Sequence, residues 1–137
     1  MNIISFIPAR SGSKSIEDKN IKELGGKPLI AYTIETSLKC GLRTIVDTNS
    51  EKYAEIAKSW GAEVLIRDKH LSGDRVSMFD VLRNEIHKID PKPDLILLLQ
   101  PTTPFRKKVH AKLAILTMER NFEKYDSLVS VERVPEK

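Results

Sequence analysis

The chain is poor in the residues that most often announce a chemistry. It has a single cysteine, Cys40, among 137 residues, which excludes an internal disulfide and suits a reducing cytoplasm. Cys40 falls near the end of a helical pattern, the place of a packed or half-exposed thiol rather than a nucleophile. His70, His87 and His110 show no metal-ligand spacing. Glycine is scarce, and none of it builds G-x-G-x-x-G or G-x-x-x-x-G-K-[ST], so the dinucleotide fingerprint and the Walker loop are both absent. No apolar run approaches a membrane span, and residues 1–7 lack the basic flank of a secretion signal. Charge of one sign does not dominate either. A balance of 23 basic against 19 acidic residues leaves +4, too mild and dispersed to argue for nucleic acid or a membrane surface.

What is present is an alternation of apolar runs and helical patterns from end to end, the mark of an α/β domain over residues 1–137 with a mainly parallel open sheet. Strands are expected at 2–7, 44–46, 63–66, 95–99 and 127–131. Leu95–Leu99 reads as a strand buried on both faces. Pro28 stands at a helix start, Gly41 stops that helix, and Gly61 closes a second over 51–60. Phe79, Leu82, Ile86 and Ile89 mark the apolar face of a third helix, and a fourth spans about 109–120. There is no internal repeat and no linker.

The most informative stretch follows the first strand: Ile7-Pro8-Ala9-Arg10-Ser11-Gly12-Ser13-Lys14, then Lys19-Asn20. A loop of Ser and Gly can turn successive N–H groups inward around an anion, and Arg10, Lys14 and Lys19 add full charges. In an open parallel sheet the loops after successive strands share one edge. Arg10, Lys14, Arg67, Ser72, Asp74, Ser77, Gln100, Thr102 and Arg106 are therefore expected to converge on a polar, cation-rich cleft suited to a phosphorylated small molecule. Plainer roles compete. Lys19 and Lys22 could be solvated loop charges, Pro101 and Pro104 loop stiffeners, and Asp74 or Ser72 the cap of the third helix. Trp60 and Phe79 read most simply as core.

The first loop, together with Gly26-Lys27-Pro28-Leu29-Ile30, resembles the amino-terminal signature of acylneuraminate cytidylyltransferases. Three further blocks agree in order: Ala54-Glu55-Ile56-Ala57 with Gly61-Ala62-Glu63-Val64, Arg67 with Leu71-Ser72-Gly73-Asp74 and Ser77, and Leu99-Gln100-Pro101-Thr102-Thr103-Pro104-Phe105-Arg106. The resemblance implies a three-layer α/β/α fold of the nucleotide-diphospho-sugar transferase type. It implies transfer of CMP from CTP to the anomeric hydroxyl of an N-acylneuraminate or related nonulosonic acid, with release of pyrophosphate. By the same resemblance Arg10, Lys14 and Lys19 are catalytic, clamping the triphosphate, and Ala9, Arg10, Ser13, Asn20, Arg67 and Ser77 hold the nucleotide. Gln100 and Thr102 face the acceptor sugar, with Arg106 close by. Mg2+ is the implied cofactor, with no ligand identified in this chain. The implied partners are CTP and the acidic sugar, with a homodimer or a completing chain left open.

Three departures from that pattern stand out. Ser15 replaces a glycine, which would be strained if the site needs positive φ. The second loop reads Asp47-Thr48-Asn49-Ser50 where the family commonly has Ser-Thr-Asp-Ser. Family members also continue beyond position 137, through further strands, a dimerisation segment and the acidic pair that binds magnesium. On that count the chain is expected to lack the C-terminal strands. The alternative to a catalytic chain is then a truncated or degenerate nucleotide-binding module, or one part of a split enzyme.

Overall fold

The computed structural model describes residues 1–136. Strand β1 (Ile3–Pro8) lies at the centre of a four-stranded sheet with β4 (Arg43–Thr48) on one side and β6 (Leu95–Leu98) on the other. Beyond β4 lies β5 (Glu63–Ile66), and every pairing is parallel. The order β5-β4-β1-β6 means that the chain steps outward twice and then crosses back to the other flank of β1. A crevice opens at such a reversal, between the carboxyl ends of β1 and β6.

Helices cover both faces: α1 (Leu29–Lys39), α2 (Glu51–Ser59), α3 (Met78–Glu85) and α4 (Lys108–Arg120). The two-residue alternation of β1 feeds two cores. Ile7 packs with Ile30 and Ile34 of α1 and Ala57 of α2, whereas Ile4 and Phe6 pack with Ile45 and Val81. Ser5 is also fully buried, and its hydroxyl bonds Ser37 of α1, which in turn meets Thr44 of β4 at 2.6 Å. Trp60 is half-buried against the first core.

A small hairpin, β2 (Glu23–Leu24) and β3 (Lys27–Pro28), precedes α1. Gly25 and Gly26 form its turn with φ of 58° and 89°, as a two-residue turn with both central φ positive requires. A Cβ on Gly25 would stand 2.9 Å from the Tyr32 hydroxyl.

Four sequence expectations are corrected here, and the conditional one about Ser15 is resolved. No strand forms at 127–131; the segment is irregular, with Val129 and Val131 78% and 89% exposed. An alternating apolar pattern makes a strand only where a ladder partner and a face to bury are both offered, and neither is made there. Strand β6 is not buried on both faces: it lies at the edge of the sheet and its side chains are half-buried or exposed. Phe79 is not core but 71% exposed, and α3 instead turns Val81 and Glu85 inward. The regular α-helix ends at Glu85, followed by a 3-10 turn at Ile86–Lys88. Ser15 carries no strain, because Asp18 (φ 49°) is the one non-glycine residue with positive φ among those described.

Candidate functional site

The crevice at the β1/β6 reversal is a cleft of about 190 Å³. Its first wall comes from the loop after β1, with Arg10, Ser13, Lys19 and Asn20; its opposite wall comes from the loop after β6, with Gln100 and Thr102; Arg67, just past β5, also lines it. Seven of the ten expected site residues therefore meet in one place, drawn from positions as far apart as Arg10 and Thr102. The other three do not line the cleft. Ala9 is fully buried under the loop, its N–H donating to the Asp47 carbonyl at 2.8 Å. Lys14 stands outside in solvent, 2.8 Å from Asp74. Ser77 is the N-cap of α3, accepting from the Asp80 N–H.

The first loop is held by side chains rather than by a glycine-rich backbone. Asn20 is buried and donates from Nδ2 to the Arg10 carbonyl at 3.1 Å. Asn49 accepts through Oδ1 from both the Ser11 N–H, at 2.8 Å, and the Ser11 hydroxyl, at 3.1 Å. The second-loop departure is thereby explained, since Asn keeps the acceptor oxygen that an Asp would offer. It also takes one of the loop N–H groups that the sequence leaves free for an anion. Asp18 fixes the far end, accepting from the Tyr53 hydroxyl at 2.8 Å and from Lys52. These donors hold its carboxyl below the usual range, the Tyr53 hydroxyl most of all.

Below the cleft lies an ion pair that sequence reasoning left unpaired. Arg67 donates from Nε to Asp47 Oδ2 at 2.6 Å, and both side chains are almost wholly out of solvent. Burial pushes the Asp47 carboxyl up to about 6, with the Arg67 charge and hydrogen bond opposing the shift. A charge withdrawn from water this far is tolerable only with a partner, so Arg67 braces the cleft floor from a fixed position. The signal was legible in principle: Asp47 ends an apolar strand, and a buried carboxylate needs a cation nearby.

Asp74 reaches the cleft as the loop argument expects, but with partners that the sequence did not show. Neither Asp74 nor Ser72 caps α3. Asp74 instead lines the cleft and pairs with Arg10 Nη2 and Lys14 Nζ, each at 2.8 Å. Lys14 first, then Arg10, holds its carboxyl below the usual range. The cleft thus combines four cations (Arg10, Lys14 at the rim, Lys19 and Arg67) with two carboxylates that are already paired. Such a set attracts a polyanion and can stabilise charge on phosphoryl oxygens.

The arrangement does not fit a metal. Among the described residues no group of three His, Cys, Asp or Glu side chains comes together as a metal site would require. Asp47 and Asp74 are committed to cations, and Asp68 lies against Asn84 and Lys88. The described residues therefore do not supply a site for the magnesium implied by the resemblance.

Arg106 does not line the cleft. Its Nη2 donates weakly to the Gln100 carbonyl at 3.4 Å, while the side chain faces a separate groove of about 710 Å³ between β6, α4 and residues 126–130. Loss of solvent lowers its pKa. No helix among the described residues is long and apolar enough to cross a membrane.

Comparison with known proteins follows the same lines. The family model described as cytidylyltransferase matches residues 4–136. An N-acylneuraminate cytidylyltransferase of Escherichia coli is 43% identical over 133 residues, covering 96% of this chain and 31% of its own length. A CMP-N,N'-diacetyllegionaminic acid synthase of Legionella pneumophila is 41% identical over 113 residues, covering 78% of this chain and 49% of its own. A pseudaminic acid cytidylyltransferase of Campylobacter jejuni is 35% identical, covering 91% of this chain and 56% of its own. The chain thus spans between about a third and a little over half of these relatives. Among solved structures, a CMP:2-keto-3-deoxy-manno-octonic acid synthetase complexed with CTP superposes with a TM-score of 0.78 at 23% identity, over 88% of this chain and 48% of that one. That likeness speaks to the fold.

Proposed function

The chain belongs to the cytidylyltransferase family, and from that premise we propose that it carries the nucleotide site of an enzyme transferring CMP from CTP to a nonulosonic acid. The anomeric hydroxyl of the sugar would attack the α-phosphorus. The bond to the β-phosphate oxygen breaks, pyrophosphate leaves, and the hydroxyl proton passes to solvent. Such a displacement asks the protein for positioning and charge stabilisation more than for covalent help.

The observation that carries this reading is the two-walled cleft. Arg10, Lys19 and, at the rim, Lys14 would hold the triphosphate on the β1 side, with Ser13 and Asn20 beside the nucleotide. Gln100 and Thr102 stand opposite, where an acceptor would meet the α-phosphate. Arg67 would act by fixing the cleft floor. Ser77 and Ala9 would act only through the backbone they organise, since neither lines the cleft. The acceptor class is supported by relatives whose names span N-acylneuraminate, diacetyllegionaminate and pseudaminate. Magnesium enters the reading from the family alone, and a cytoplasmic setting from the single cysteine. Association with a second copy or a completing chain also belongs to it, read out by light scattering with and without CTP.

Calorimetry with CTP, UTP, GTP and ATP, with and without magnesium, tests the nucleotide. A pyrophosphate-release assay with each class of nonulosonic acid tests the transfer. The proposal expects CTP to bind best and pyrophosphate to appear only with an acceptor. Equal affinity for ATP would remove the cytidine assignment. CTP binding without pyrophosphate release would favour a non-catalytic nucleotide module, a reading that the ion-paired state of Asp47 and Asp74 also suits.

A further inference from the structure

Asp74 bridges two cations of the loop after β1. Its Oδ1 is 2.8 Å from Arg10 Nη2 and its Oδ2 is 2.8 Å from Lys14 Nζ, so one carboxylate engages both first-loop cations. The contact joins segments 64 positions apart in the chain, the loop after β1 and the loop between β5 and α3. Asp74 caps no helix, and its only hydrogen-bonded or ion-paired partners among the described residues are these two cations. Arg10 also reaches the Gly12 carbonyl at 3.3 Å, which leaves the guanidinium folded over its own loop. Lys14 is otherwise in solvent. The site therefore supplies its own anion.

We propose that Asp74 is an internal competitor for the triphosphate: it occupies the place of phosphate oxygens between Arg10 and Lys14, and a ligand must displace it to bind. This deepens the nucleotide reading above and rests on it. The exchange is of one carboxylate charge for the several charges of a triphosphate, so a polyanion wins where a single charge does not. Displacement also unties the loop after β1 from the segment leading to α3, whose residues Gly73 and Val76 line the same cleft. Asp74 thus sets both the charge that a ligand must bring and the opening of the cleft floor. In the empty protein it keeps two cations paired that would otherwise repel each other across the loop.

The test compares the protein with Asp74→Asn, which keeps the shape and removes the charge, by calorimetry with CTP and with inorganic triphosphate. Two exposed ion pairs removed from the competing state should tighten both ligands by about two- to tenfold. Hydrogen exchange gives a second readout: adding inorganic triphosphate should speed exchange across 68–77 in the wild type, and Asp74→Asn should show that faster exchange before any ligand is added. Unchanged or weaker binding by Asp74→Asn, with the wild type binding normally, would overturn the competitor and make Asp74 a positioning residue for Arg10. No binding of either ligand to either protein would instead overturn the phosphate site itself, and the competitor with it.

Discussion

Helices α2 and α4 sit on opposite flanks of β1 and have opposite fates. The nine residues of α2 turn Tyr53, Ala54 and Ala57 into the core. The thirteen residues of α4 bury only Ala111, and leave Leu113 60% exposed. The strands repeat the contrast: β4 is buried over Thr44–Thr48, whereas β6 stands half-open at the edge beside a broad apolar groove. An apolar residue is core only if the layer beyond it is present. On the β4 side that layer is complete; on the β6 side α4 and residues 121–136 leave it open. The cleft draws one wall from each side, so the wall from the loop after β1 is anchored in the closed half and the wall from the loop after β6 in the open one.

Substitutions can break this contrast or sharpen it. The largest expected effect is Phe6→Ala, which empties the second core and should cost about 3–5 kcal/mol in urea unfolding, against about 0.5 kcal/mol or less for Leu113→Ala on α4. Comparable losses would mean that α4 is packed as tightly as the second core. Next comes Asp47→Ala, which leaves Arg67 buried with only the Leu71 carbonyl at 3.4 Å as company. We expect about 3 kcal/mol, at the low end for a broken buried pair, with recovery in part by the double variant Asp47→Ala/Arg67→Met. Ser50→Ala removes the N-cap that accepts from the Tyr53 N–H and should lower stability by about 1 kcal/mol. A smaller loss for Lys107→Ala is expected, because Lys107 makes no cap bond for α4.

The smallest effect concerns pH at the β4–β5 edge, where Arg43 Nε and Nη2 grip the Glu63 carboxylate at 2.9 and 2.8 Å. Arg43 holds Glu63 below its usual range, with burial opposing. A depressed folded pKa contributes stability above the unfolded value, about 4.3, and that stability is lost as the pH falls below it. The melting difference between wild type and Glu63→Gln should therefore shrink on acidification below about pH 4. A difference that grows there would show the pair to be unformed.

The sequence was most legible where pattern and environment agree. Strand β1 and the helices closed by Gly41 and Gly61 could be read directly, since a buried strand needs an apolar run and a helix end needs a glycine in the left-handed region. The loops after β1, β5 and β6 were legible as one site for the same reason: a parallel sheet puts them on one edge whatever their sequence distance. Phe79 and the Ser127–Val131 segment misled because their hydrophobicity says nothing about which neighbour covers them. Asp47, Asn49 and Asp74 hid their partners for a different reason. Each is polar and individually ordinary, and its role is fixed by a partner twenty or more positions away, on another loop. Pairing of this kind leaves no local period to read.

The central claim is that the loop after β1 is the phosphate site, and a CTP titration of the wild type beside Arg10→Ala and Arg106→Ala tests it most directly. Arg10 lines the cleft; Arg106 faces the other groove. A charge-assisted contact is worth roughly 1.5–3 kcal/mol, so Arg10→Ala should weaken CTP at least tenfold while Arg106→Ala changes it little. Equal losses in the two variants, or a larger loss at Arg106, would contradict the account.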